Sequence, residues 1–116
     1  MSDSECIFCK IAAGEIDAQI VHSDEDVVAF RDLHPQAPTH ILVIPRRHIP
    51  TLEDLTLGDG ELLAKMFTVA REQAQAEGIA ERGYRTVFNC RGDGGQEIYH
   101  LHLHLLGGRS MQWPPG

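Results

Sequence analysis

His100-Leu101-His102-Leu103-His104-Leu105 alternates polar and apolar residues with the period of two that belongs to a β-strand. Three imidazoles then face one way and three leucines the other, and the leucine side is a core face. Side chains on one face of a strand stand about 6.5–7 Å apart, which suits separate tasks around one phosphate better than three ligands on one metal. A neutral imidazole attacks phosphorus at neutral pH and can leave again, so it serves two-step covalent catalysis. His102, with a neighbour on either side, is the candidate nucleophile. One flanking histidine, His100 or His104, would donate to phosphate oxygens and the other would hold position. A half-buried strand with a merely polar outer face is the plainer alternative, but a face filled by histidine alone argues against it.

The segments around this stretch set its context. Apolar Ile7, Phe8, Ile11 and Ala12 recur at helical spacing before Gly14, which predicts a short helix over 6–13. β-rich runs at 18–21 and 27–30 flank a polar turn, and a third strand at 40–44 is closed by Pro45. Leu62, Leu63, Met66, Phe67, Val69, Ala70 and Ala74 mark one long amphipathic helix over 59–77, stopped by Gly78. Two further strands, 84–90 and 98–106, are joined by Arg91-Gly-Asp-Gly-Gly-Gln96, whose glycines permit a close approach to a ligand. The expected class is α+β: a mainly antiparallel sheet of about five strands with one long and one short helix, residues 1–116 forming one domain.

Composition narrows the partners. The chain has 116 residues, 42% hydrophobic and 23% charged, with a formal net charge of −7. Its largest basic cluster is the pair Arg46-Arg47, so nucleic acid and anionic membranes are not expected partners. A single nucleotide remains compatible, because backbone N–H groups and histidines can hold one phosphate without a positive field. The start, Met1-Ser-Asp-Ser-Glu-Cys6, has no basic region followed by an apolar run, and the location expected is cytoplasmic. Three cysteines, two of them in Cys6-Ile-Phe-Cys9, read there as metal ligands or redox thiols rather than a disulfide framework.

The histidine stretch and three further segments carry a resemblance. His100-Leu-His-Leu-His-Leu-Leu106 fits the His-x-His-x-His pattern. Around it stand Ala29-Phe-Arg-Asp-Leu-His-Pro-Gln-Ala-Pro-Thr-His-Ile-Leu-Val-Ile-Pro45, Asp93-Gly-Gly-Gln-Glu-Ile-Tyr99 and Gly107-Gly-Arg-Ser-Met-Gln-Trp-Pro-Pro-Gly116. Over nearly its whole length the chain resembles the histidine-triad superfamily, in its nucleotide-binding, purine nucleoside phosphoramidase branch. The resemblance implies that His102 is the nucleophile, that His104 contacts the phosphate, and that His40 steadies the site and assists proton transfer. Taken alone, His40 at the start of an apolar strand reads as a structural histidine.

Asn89, Gly95 and Gln96 match the family's phosphate-binding edge, where an amide and loop N–H groups stabilise charge on phosphorus. Similar proteins often carry Ser or Thr where this chain has Glu97; an ionised carboxylate donates no hydrogen bond, which leaves its backbone in play. Asp32 falls on the ribose hydroxyls, a sound acceptor for a vicinal diol. Ile7, Phe8, Ile11, Phe30 and Leu33 fall around the base, although composition alone assigns them to the core. Trp113, with Pro114-Pro115-Gly116, belongs to a tail that in similar proteins crosses to the partner subunit, so a homodimer with a continuous sheet is expected.

The implied activity is hydrolysis of the P–N bond of purine nucleoside 5′-phosphoramidates. Hydrolysis or transfer at dinucleoside polyphosphates is the alternative within chemistry. A nucleotide-binding regulatory protein without catalysis is the alternative outside it. A zinc ion on Cys6, Cys9, His48 and His100 is also expected: the two-residue gap lets both thiolates turn to one tetrahedral ion, and some bacterial relatives pair such cysteines with those histidines. Catalysis itself needs no cofactor on this reading.

Overall fold

The first strands pair because an aspartate closes the turn between them. In the computed structural model, which describes residues 3–116, β1 (Ile20–Ser23) and β2 (Val27–Arg31) form an antiparallel hairpin. The Asp24 carboxylate accepts from the N–H groups of Asp26 and Val27 at 2.8 and 2.9 Å, satisfying turn donors that the ladder leaves unpaired. β3 (Thr39–Pro45), β4 (Tyr84–Val87) and β5 (Leu103–Gly107) complete a five-stranded antiparallel sheet in the order β1-β2-β3-β5-β4.

All seven residues of β3 are buried because it lies at the centre of the sheet with both faces covered. One face carries Val27, Ala29, Ile41, Val43, Leu103 and Leu105, packed with Met66, Val69, Ala70 and Ala74 of the long helix α2 (Gly60–Ala76). Gly78, at φ 74°, turns the chain out of that helix as its sequence signal implies. The other face carries Val28, Phe30, Leu42 and Ile44 under Phe8 and Ile11 of the six-residue helix α1 (Ile7–Ala12). So short a helix has little stability of its own and depends on this packing. Among the described residues no helix is long and apolar enough to cross a membrane; the reading of Met1 and Ser2 lies outside them.

The expected class is observed and both helices lie within one residue of their expected ends, while several strand boundaries shift. The first strand begins at Ile20 rather than residue 18, and the fourth ends at Val87 rather than residue 90. The last strand begins at Leu103, not at residue 98, so His100 and His102 precede the ladder. The register explains this. Val43 pairs Leu103, so the next hydrogen-bonding partner would be Pro45, which has no N–H to donate. Leu101 instead donates to the Ile49 carbonyl at 2.6 Å, holding the segment against the loop beyond β3.

Candidate active site

The β3–β5 register places Leu42 opposite His104 and His40 opposite Leu106, which makes His40 and His104 diagonal neighbours on the α1 face. Their hydrogen bonds fix both tautomers. The Gln36 N–H donates to His40 Nδ1 at 3.0 Å, so neutral His40 carries its proton on Nε2. That Nε2 lies 2.9 Å from His104 Nδ1 and donates to it. His104 therefore holds its own proton on Nε2, a buried atom with no hydrogen-bond partner among the described residues. A buried donor in that position costs about 1–3 kcal/mol, which an acceptor oxygen in the adjoining cavity would offset.

His102 is oriented the opposite way. Its Nδ1 donates to the His100 carbonyl at 2.7 Å, which leaves the Nε2 lone pair for the cavity. The His102 and His104 rings lie edge to face with centroids 4.9 Å apart. Burial lowers the pKa of both rings, that of His104 to about 4, where the neighbouring His102 and His40 disfavour a further positive charge. Burial also lowers His40, against the attraction of Asp32. All three are neutral at pH 7.

Two adjoining cavities meet at these rings. One, of about 340 Å³, is lined by His40, His102, His104, Asn89, Gly95 and Glu97, together with Gln36 and His34. The other, of about 250 Å³, is lined by Ile7, Phe8, Ile11, Phe30, Leu33 and Ile16. Asp32, His34, Phe8, Leu42, Glu97 and Ile98 border both. Asp32 Oδ1 accepts from the His34 N–H at 2.8 Å, and Oδ2 lies 3.6 Å from His40 Nε2. Phe8 packs edge-on against Phe30 at 5.4 Å and against His102 at 5.1 Å, so α1 braces the histidines. A third cavity, of about 570 Å³, contains Arg46, Arg47 and Lys65, but it lies apart from these rings and those cations are engaged by Ser23, Asp59, Asp24 and Asp26.

Three expected residues lie elsewhere. His100 does not reach the triad cavity with its ring. Its Nε2 donates to the Pro45 carbonyl at 2.7 Å, and its Nδ1 lies 3.3 and 3.4 Å from the sulfurs of Cys6 and Cys9. Gln96 turns inward: its amide donates to the carbonyls of Pro50 and Ile98, and its oxygen accepts from the Arg91 N–H. It braces the glycine loop, where a Cβ on Gly94 would stand 2.4 Å from the Cys90 carbonyl oxygen. Trp113 is 82% exposed and borders neither cavity of its own chain. Conversely, Gln36, His34, Leu42 and Ile98 were not singled out in the sequence. The first two sit in the segment that carries the resemblance, and Leu42 follows His40 on its face by strand alternation.

A second cluster forms behind the triad. The ligand atoms of Cys6, Cys9, His48 and His100 lie within 4.8 Å of one another, and Cys9 Sγ is 3.3 Å from His48 Nδ1. Two soft thiolates and two imidazoles make a tetrahedral zinc set, and the His100 bond to the Pro45 carbonyl turns its Nδ1 toward the sulfurs. These residues fit a zinc ion.

A sheet carrying three neutral histidines over an apolar slot defines a class, and the comparison with known proteins agrees. The chain belongs to the HIT domain family, whose model matches residues 13–111. It is 53% identical over 107 residues to the purine nucleoside phosphoramidase of Escherichia coli, covering 92% of this chain and 90% of that protein. Among solved structures, a HIT family hydrolase from Legionella pneumophila superposes with a TM-score of 0.95 at 59% identity, covering 97% of this chain and all of the other. A histidine triad protein from Clostridium difficile gives 0.92 at 42% identity, covering 97% of each chain.

Proposed function

We propose that this chain hydrolyses the P–N bond of purine nucleoside 5′-phosphoramidates through a nucleotidyl-His102 intermediate. The observation that carries the reading is the opposed tautomers: a nucleophilic lone pair on His102 and an unpartnered N–H on His104 serve one cavity. The base lies in the slot of Ile7, Phe8, Ile11, Phe30 and Leu33, with Asp32 on the ribose. His102 Nε2 forms a bond to phosphorus as the P–N bond breaks. The amine leaves with the proton of His104 Nε2, which the His40 N–H holds in line. Water then attacks phosphorus, breaks the Nε2–P bond, returns a proton to His104 and releases the nucleoside monophosphate. His104, Asn89 and the Gly95 backbone stabilise the charge that develops on the phosphoryl oxygens.

Among the described residues no lysine or arginine lines the triad cavity. In the neighbouring slot Arg31 is held by both carboxylate oxygens of Glu77. One phosphoryl charge suits such a cavity, whereas the several charges of a dinucleoside polyphosphate do not. Side-by-side turnover assays test the reading: an AMP-amine is expected to be hydrolysed with much the higher kcat/KM, and a preference for a dinucleoside polyphosphate would overturn it.

The same reading gives Cys6, Cys9, His48 and His100 a structural zinc, which when bound would tie α1 to the segment carrying His102. It also takes residues 1–116 as one domain, located in the cytoplasm, where reduced thiols persist. A two-fold dimer is part of it: β4 is a sheet edge, and Tyr84 and Phe67 leave apolar surface exposed beside it. Trp113, away from its own cavities, would then border the partner's.

A further inference from the structure

The loop wall of the triad cavity ends in a carboxylate that the proposed chemistry leaves without a task. Glu97 borders both the triad cavity and the base slot, so it stands where they meet at phosphorus. Among the described residues no hydrogen bond or ion pair engages its side chain, which is exposed. The base slot accounts for the nucleoside. What remains of the triad cavity, bounded by Gln36, Asn89, Gly95 and Glu97, is left for the group on the other side of phosphorus.

The charges around that space have one sign. Asp32 and Glu97 are its carboxylates, and among the described residues no lysine or arginine lines it. Asp32 already accepts from the His34 N–H and faces His40, so Glu97 is the acid open to a ligand. We propose that Glu97 selects substrates by the charge of the leaving group, favouring amines that carry a second, cationic nitrogen and disfavouring those that carry a carboxylate. The inference deepens the phosphoramidase reading and rests on it. It also gives Glu97 a task that its acceptor chemistry can perform.

The test uses three AMP-amines with the same butyl chain, ending in ammonium, methyl or carboxylate. Each kcat/KM is divided by that of the methyl-ended probe in the same enzyme, so a general loss of activity cancels. Wild-type protein is expected to favour the ammonium end over the carboxylate end by about tenfold at low salt, as for a charge several ångströms away in a partly screened site, and by less at high salt. Glu97→Gln should bring the ratio near one, and Glu97→Lys should invert it. If all three probes are hydrolysed and Glu97→Gln leaves the ratio unchanged, the charge selection is wrong while the phosphoramidase reading stands. If none is hydrolysed, both fall.

Discussion

His104 is a half-buried imidazole whose buried Nε2 proton has no acceptor within the described protein, and His40 dictates which nitrogen carries it. Were His104 protonated on Nδ1 instead, it would clash with the His40 N–H and present a lone pair, not a donor, to the phosphoryl group. On the proposed mechanism His40 is therefore a positioning residue. Its replacement by glutamine, which keeps an N–H donor near His104 Nδ1, is expected to retain more kcat than replacement by leucine. His40→Leu should lose on the order of a hundredfold, the scale of a misaligned catalytic group, with KM little changed. Equal losses in the two variants would contradict the positioning role. The sequence made His102 and His104 legible because alternation needs only composition and spacing. The tautomers were not legible, since they depend on the Gln36 N–H and the His100 carbonyl, backbone groups that any side chain could carry.

Among the elements, α1 and the end of α2 are held by side chains distant in sequence. Arg31 of β2 donates to both Glu77 oxygens at 2.8 and 2.9 Å, and Thr39 adds a third bond, so the carboxylate just past α2 is tied to two strands. Its pKa is lowered below 4.5, chiefly by the Arg31 hydrogen bond. The sign follows: the stabilisation is complete above the unfolded value near 4.5 and is lost as pH falls through the lower folded value. Glu77→Gln should cost about 1 kcal/mol at pH 7 because Arg31 is partly exposed, and the difference from wild type should vanish in acid. Denaturant titrations across pH measure it; a constant difference down to the acid limit would refute the pairing. For α1, metal analysis of protein purified without chelator is expected to find about one zinc per chain, and removing it should lower the melting temperature. Absence of zinc would remove the site. The Cys-x-x-Cys spacing points to this cluster, while the observed strand is shorter than alternation over 98–106 predicts because Pro45, on the neighbouring strand and distant in sequence, ends the ladder.

For the molecule as a whole, the sheet order brings segments 32–42, 89–97 and 100–104 to one surface, and α1 closes the base side. The resemblance locates those segments, but the division of the surface into two cavities, the lack of lysine and arginine among the described residues lining the triad cavity and the inward turn of Gln96 come from packing. Binding and chemistry are thereby separable. On the proposed reading, Asp32 and the apolar slot would act on the ground state, whereas His102 Nε2 would matter in reaching the transition state. The central claim is that this nitrogen becomes covalently bound to phosphorus. Intact-mass and peptide-level mass spectrometry of protein quenched rapidly with a slow AMP-amine tests it most directly. The account predicts a nucleotidyl adduct on His102, absent from His102→Ala, which should still bind AMP; an adduct on another residue, or full turnover in His102→Ala, would contradict it.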